Sequence, residues 1–236
     1  MARFSRIEVA VKAYETGIIP VFYHQDFETC KEILTACYRA RIRVFEFTNR
    51  GDFAHETFGK LIKFAAEELP HMILGIGSVL DPATAALYMQ LGTNFVVSPV
   101  MNPEMAKVCN RRKVAWMPGC GSLSEISEAE ELGAEVVKIF PAEQVGGLKF
   151  IQAAKGPCPW SSIMPTGGIE PEKEMVTHWL KGGAHCVGIG SKLFPKNEDG
   201  SYNLIQIESK LSELTEAVRE MGRTILNVEE TTVSHT

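Results

Sequence analysis

Short apolar runs recur eight times along the chain, and most of them are followed by a longer amphipathic stretch. The runs are rich in Val, Ile and Phe and alternate only weakly, as expected for strands that are buried on both faces. The predicted strands are 18–23, 44–48, 72–75, 95–98, 114–117, 136–140, 163–166 and 186–189. Strands that alternate with helices predict a parallel sheet with right-handed crossovers.

The segments between these runs carry helix signals. The predicted helices are 26–40, 53–69, 82–90, 103–110, 123–132 and 172–181. Residues that favour the N-cap position precede four of them: Asp26, Asp81, Asn102 and Ser122. Prolines at positions 82 and 103 suit the first helical position.

Eight strand–helix units predict an α/β fold, a single-domain (β/α)8 TIM barrel over residues 17–200. The repeat averages roughly 23 residues, which is short for a closed barrel but compatible with one. An open doubly wound sheet is the rival, and the lack of a G-x-G-x-x-G after the first strand disfavours it. An extra N-terminal helix is expected at 1–16 and an amphipathic C-terminal helix at 203–226, followed by a loose polar tail at 228–236.

Composition limits the possible partners. The 236 residues are 45% hydrophobic, and 24 basic residues against 29 acidic ones give a net charge of −5, which argues against a nucleic-acid or acidic-membrane partner. Six cysteines without a C-x-x-C pair predict free thiols in a reducing compartment. The N-terminus has no signal-peptide pattern and no run is long enough to cross a bilayer, so we expect a cytoplasmic protein. The histidines lack metal-ligand spacing, so no metal is expected.

Lys138 is the leading catalytic candidate because it lies inside the predicted strand EVVKIFPAE. Burial disfavours the ammonium form and lowers the pKa of such a lysine. An ordinary lysine of pKa ~10.4 is about 0.04% neutral at pH 7, whereas a pKa near ~7.5 makes roughly a quarter of it nucleophilic. The alternative is a buried lysine that only pairs with a carboxylate.

Glu46 and Arg50 follow one another near the end of the second predicted strand, in VFEFTNRGD. A carboxylate and a lysine that point into one barrel can serve as acid/base and nucleophile, or simply neutralise each other. The guanidinium of Arg50 could hold a substrate carboxylate through two parallel hydrogen bonds, although a loop arginine alone is usually a solvated charge.

Glycines end the last two predicted strands, in MPTGGIEPE and GIGSKLF. Exposed backbone N–H groups and a helix N-terminus form a phosphate site, and the loops after strands seven and eight are its usual place in a barrel. Each motif alone is typical of a turn. Together they predict an anion site at Gly167, Gly168, Gly190 and Ser191.

These motifs resemble those of the 2-keto-3-deoxy-6-phosphogluconate (KDPG) / 4-hydroxy-2-oxoglutarate (KHG) aldolase family, in order from residue 18 to 194. The likeness includes GIIPVF, FEFTNR, GIGSVLDP, FVVSP, VKIFPAEQVGG, MPTGGI and GIGSKLF. It implies a homotrimeric, metal-independent class I aldolase that needs no cofactor, because the intermediate is an imine between substrate and lysine. Its substrate would be a small 2-oxo acid.

By position, the resemblance implies a role for each matching residue. Lys138 resembles the Schiff-base lysine and Glu46 the general acid/base, while Arg50 and Ser78 resemble the contacts to the substrate carboxylate. The pocket-lining residues would be Pro99, Phe140 and Thr166, and the phosphate cradle Gly167, Gly168, Gly190 and Ser191. The chain departs from the family pattern at Asn49, Gly51, Ser78 and Lys192, which leaves the choice of substrate open.

Two other functions remain open on the residues alone. One is a phosphate-binding TIM-barrel isomerase or epimerase in which Glu46 moves a proton and Lys138 only binds charge. The other is a non-catalytic barrel that binds a sugar acid. The aldolase reading is favoured because it uses Lys138, Glu46 and Arg50 together.

Overall fold

The computed structural model describes residues 2–223, and eight of the nine strands in this range overlap the predicted apolar runs. The strands are β1 (Ile18–Phe22), β2 (Val44–Thr48), β3 (Ile73–Gly77), β4 (Phe95–Val97), β5 (Ala115–Met117), β6 (Gly119–Cys120), β7 (Val137–Ile139), β8 (Ile163–Pro165) and β9 (Val187–Ile189). Within this range, no helix is both long and apolar enough to cross a membrane.

Helices connect most of these strands. They are α1 (Arg6–Thr16), α2 (Phe27–Arg39), α3 (Ala54–Glu68), α4 (Pro82–Leu91), α5 (Pro103–Arg112), α6 (Leu123–Glu131), α7 (Gly147–Lys155), α8 (Lys173–Lys181) and α9 (Leu204–Glu220). All four predicted N-caps are confirmed, since the side chains of Asp26, Asp81, Asn102 and Ser122 each accept a backbone N–H of the first turn.

The strands form two parallel sheets. Six of them pair in the order β5-β4-β3-β2-β1-β9, and the other three pair in the order β6-β7-β8. Pro118 alone separates β5 from β6. On the other side, a parallel bridge between Thr166 and Gly188 joins the end of β8 to β9. The fold is therefore an α/β fold with parallel strands.

The first and last helices pack against this sheet system. Val9 and Ala13 of α1 belong to the apolar cluster on the inner side of the strands. Helix α9 lies against α2 and α8, as the helix that follows the last strand. The predicted helix 203–226 is wrong at its end, because α9 stops at Glu220 and a turn follows. Residues 224–226 and the predicted loose tail 228–236 lie outside the described residues.

Side-chain alternation along the strands places the candidate residues on the inner side. On β2, Phe45 and Phe47 pack into the cluster beneath the helices, whereas Val44 belongs to the inner cluster. Because successive side chains of a strand point to opposite faces, Glu46 faces inward with Val44. On β7, Val137 and Ile139 face the helices, so Lys138 also faces inward.

Candidate active site

The side chains of Lys138 and Glu46 lie next to each other on the inner side of the strands. Lys138 Nζ lies 3.8 Å from Glu46 Oε1, and the two side chains are 6% and 1% exposed. This distance allows an ion pair but is longer than a hydrogen bond. The Lys138 amine also lies 5.0 Å from the centre of the Phe140 ring. The structure thus places the two predicted residues side by side in a buried position.

Burial lowers the pKa of the Lys138 ammonium below its ordinary value. The negative charge of Glu46 opposes this effect, whereas the positive charge of Arg50 lowers the pKa further. The desolvation penalty is the largest of these effects, so the pKa of Lys138 lies below that of a solvated lysine. A neutral amine is the form that can attack a ketone.

Glycine on the neighbouring strand makes room for the Glu46 carboxylate. Gly77 pairs with Thr48 across β2 and β3, and a Cβ at position 77 would collide with Glu46 Oε1. Glu46 Oε2 is buried and has no hydrogen-bond partner among residues 2–223. The carboxylate therefore keeps one oxygen available for a water or a substrate group.

A pocket of about 550 Å³ opens at the carboxyl ends of the strands. This volume is in the range of small-molecule sites. Apart from the glycine loops, the predicted residues that line it are Arg50, Phe140 and Thr166, whereas Lys138, Glu46, Ser78 and Pro99 do not line it. Phe140 connects the two sets, because its ring borders the pocket and also faces the Lys138 amine.

Arg50 and Ser78 are brought together by the loops after β2 and β3. Arg50 Nε donates a hydrogen bond of 3.2 Å to Ser78 Oγ. Ser78 has a φ of 59°, which is uncommon for a residue with a Cβ. Pro99 follows β4 next to these loops, and its backbone lies against Gly119.

The predicted glycine loops form one wall of the pocket. Gly167 and Gly168, which follow β8, have φ angles of 98° and 84°, a region that suits glycine. Gly190 and Ser191, which follow β9, line the same pocket. The two loops thus converge as the sequence indicated, and they leave backbone groups exposed to a ligand.

Two lysines and a tyrosine that the sequence did not predict as site residues also belong to the pocket lining. Lys192 and Lys196 line the pocket, and Tyr202 lies under Lys196 with 5.0 Å between Nζ and the ring centre. Lys192 is half-exposed and pairs with Glu170. For Lys196 and Tyr202, the sequence signal is the turn segment NEDGS between them. This turn brings the two residues together in a hairpin.

Two further residues that can carry chemistry, Cys120 and His24, do not line the pocket. Cys120 is buried, and burial raises the pKa of its thiol to about 12. The ring of His24 accepts a hydrogen bond from the Asp26 N–H and does not line the pocket. All six cysteines are free. Across the described part of the chain, no cluster of three or more His, Cys, Asp and Glu side chains could hold a metal ion.

Comparison with known proteins gives a consistent result. The family model "Aldolase: KDPG and KHG aldolase" matches residues 9–209. The KHG/KDPG aldolase of Escherichia coli (strain K12) is 32% identical over 190 residues, which cover 80% of this chain and 86% of that protein.

Solved structures agree with the sequence comparison. The 2-keto-3-deoxy-6-phosphogluconate aldolase of Zymomonas mobilis ZM4, solved with 3-phosphoglycerate, is 26% identical with a TM-score of 0.76, covering 90% of this chain and 96% of that one. The KDPG aldolase of Legionella pneumophila, with pyruvate captured as a covalent carbinolamine intermediate, is 27% identical with a TM-score of 0.72, covering 90% and 97%. The chain therefore belongs to the KDPG and KHG aldolase family and is a class I aldolase, a carbon–carbon lyase.

Proposed function

We propose that this chain cleaves a 2-keto-3-deoxy-6-phospho sugar acid or 4-hydroxy-2-oxoglutarate to pyruvate and an aldehyde, with Lys138 as the Schiff-base lysine. The observation that carries the proposal is the Lys138 amine, buried and 3.8 Å from the Glu46 carboxylate behind a pocket wall. The aldehyde would be glyceraldehyde 3-phosphate or glyoxylate, according to the substrate.

The reaction begins when neutral Lys138 attacks the C2 ketone. Loss of water gives a protonated imine, which withdraws electrons from the neighbouring carbons. Because burial lowers the pKa of Lys138, a larger fraction of the amine is uncharged than in a solvated lysine at the same pH. No metal or external cofactor is needed for this step.

Glu46 then acts as the base, through a water. It takes the proton of the C4 hydroxyl while the C3–C4 bond breaks, and the bonding electrons move into the imine to form an enamine. The C4 oxygen becomes the aldehyde carbonyl. Protonation of the enamine and hydrolysis of the imine release pyruvate and restore the free amine.

Binding groups sit at the two ends of the substrate. Arg50 and Ser78, already linked by a hydrogen bond, hold the carboxylate so that the ketone meets the amine. Pro99, Phe140 and Thr166 border the carbon chain. The backbone of Gly167, Gly168, Gly190 and Ser191 holds a terminal anionic group and supplies binding energy remote from the reacting carbons.

The proposal includes the finer architecture. Pro118 and the Thr166–Gly188 bridge support a closed eight-stranded barrel in which β5 and β6 are one interrupted strand.

A homotrimer is supported by the family, and the exposed Phe53, Leu80 and Val100 follow three neighbouring strands as a candidate subunit contact. We place the enzyme in the cytoplasm, without nucleic-acid or membrane partners.

Borohydride reduction in the presence of pyruvate tests this function. A class I aldolase gains the mass of a reduced pyruvate adduct, and peptide mapping should locate it on Lys138. A phosphate-binding isomerase or a non-catalytic sugar-acid-binding barrel gains none. Steady-state kcat/KM on the phosphogluconate, phosphogalactonate and hydroxyoxoglutarate substrates then identifies the preferred one.

A further inference from the structure

Thr48 has no role in the proposed mechanism, although it is a buried residue that lines the pocket. It lies at the end of β2, it is 1% exposed, and it lines the pocket. Its hydroxyl has no hydrogen-bond partner among the described residues. A buried hydroxyl left unpaired is unfavourable, and valine would fill the same space without that cost. The hydroxyl is therefore expected to meet a group that enters the pocket.

The position of Thr48 relative to Glu46 indicates which group that is. Glu46 and Thr48 are two positions apart on one strand, so both side chains face inward, and Thr48 lies roughly 6.6 Å nearer the strand end. Thr48 lines the pocket, whereas Glu46 does not. Glu46 Oε2 is also unpaired within residues 2–223. A substrate oxygen whose proton passes to Glu46 through a water would thus lie beside Thr48.

We propose that Thr48 donates a hydrogen bond to the C4 hydroxyl oxygen of the substrate, the oxygen that becomes the aldehyde carbonyl. This inference rests on the proposed aldolase function. During cleavage the C4 O–H gives its proton to Glu46 through the water, the C3–C4 electron pair enters the imine, and a C=O bond forms at C4. The Thr48 hydroxyl keeps its own proton and stabilises the negative charge that develops on the oxygen.

The first test replaces the hydroxyl by a methyl group of similar shape. Thr48→Val should lower kcat/KM for aldol cleavage by about 10- to 100-fold, the order expected for a lost donor at a developing charge. Thr48→Ser restores a hydroxyl and should recover activity to within about threefold. Reductive trapping of pyruvate on Lys138 should proceed at nearly the wild-type rate in both variants, because pyruvate has no C4 hydroxyl.

A matched control is available at Thr16, the last residue of α1. Its hydroxyl is also fully buried and unpaired within the described range, but it does not line the pocket. Thr16→Val should leave kcat/KM unchanged. Both valine variants should have the same thermal unfolding midpoint as the wild type or a higher one. A purely structural role for Thr48 would instead lower the midpoint and leave cleavage intact.

A second probe keeps the test decisive if Thr48→Val folds poorly. 2-Oxoglutarate has the carbon skeleton of 4-hydroxy-2-oxoglutarate without the C4 hydroxyl. In Thr48→Ala, the affinity for the hydroxylated compound should fall while that for 2-oxoglutarate does not. Equal losses for the two compounds, or full cleavage activity in Thr48→Val, would overturn the inference. Absence of pyruvate trapping in the wild type would instead overturn the proposed function, so the two failures are distinguishable.

Discussion

The floor and the rim of the site each contain a lysine, and the two lysines have opposite roles. The floor is the buried set Lys138, Glu46 and Thr48, of which only Thr48 lines the pocket, and the rim is the two glycine loops with Lys192. The Lys138 side chain is 6% exposed and that of Lys192 is 52% exposed. Burial lowers the pKa of Lys138, whereas the hydrogen bond to Glu170 raises the pKa of Lys192. Lys138 is thus suited to nucleophilic attack, and Lys192 keeps its positive charge to a higher pH.

This difference shows how one fold separates chemistry from binding. The floor residues lie on strands, where neighbours on both sides exclude water and fix each side chain. The rim residues lie on loops, where backbone groups remain available to an anion. Substitutions in the floor should therefore reduce the chemical step, and substitutions in the rim should mainly weaken binding.

The largest effect is expected at Lys138. Lys138→Ala removes the amine that forms the imine, so kcat/KM should fall by about four orders of magnitude or more, as for other covalent nucleophiles. No adduct should form on reductive trapping with pyruvate. A variant that retains activity within tenfold of the wild type would contradict the division between floor and rim.

Glu46→Gln should give the next largest loss. The amide keeps the size of the side chain but cannot accept the hydroxyl proton, so kcat should fall by about 10²- to 10⁴-fold. Reductive trapping with pyruvate should persist. Glu135→Gln is a suitable control, because Glu135 forms an ion pair with Arg6 away from the pocket. An unchanged kcat in Glu46→Gln would contradict the assignment of Glu46 as the base.

The pH dependence of imine formation should respond to the two charges near Lys138 in opposite directions. Only the neutral amine reacts, so the trapping rate rises with pH through the pKa of Lys138. Arg50 lowers that pKa and Glu46 raises it. The pH at which the trapping rate rises should therefore be higher in Arg50→Gln and lower in Glu46→Gln than in the wild type. The measurement is the rate of cyanoborohydride trapping with pyruvate against pH, and shifts in one common direction would contradict it.

The smallest effect is expected at the rim. Lys192 is half-exposed and already paired with Glu170, so its attraction for a phosphate is screened by solvent. Lys192→Met should raise KM for a phosphorylated substrate by less than about fivefold, with kcat unchanged. A loss as large as that of Glu46→Gln would mean that the rim takes part in the chemistry.

The elements of the fold followed from local signals, and the differences have local causes. The four capped helices begin where Asp26, Asp81, Asn102 and Ser122 predicted. Helix α7 was not predicted, because it begins at Gly147 after Gly146 and no side chain caps it. Strand β6 was missed because it has only two residues after Pro118. At both places, the sequence cannot be distinguished from that of a loop.

The buried pair of the site could be predicted, and the rest of its wall only in part. Lys138 and Glu46 are charged residues within apolar strands, a pattern that few structural roles explain. Thr48 is indistinguishable by sequence from any β-branched strand residue, although its spacing from Glu46 was a usable signal. Lys196 and Tyr202 reach the pocket through a hairpin beyond the last strand, and such a tertiary contact leaves no periodic pattern.

Competitive labelling of the two lysines in one sample tests the difference between floor and rim most directly. Trace acetic anhydride reacts with neutral amines, and mass spectrometry of the peptides gives the extent of reaction of Lys138 and of Lys192 at each pH. The Lys138 amine should titrate at a clearly lower pH than that of Lys192. If both amines titrate together at the ordinary lysine value, Lys138 is not held in its neutral form, and the central claim is contradicted.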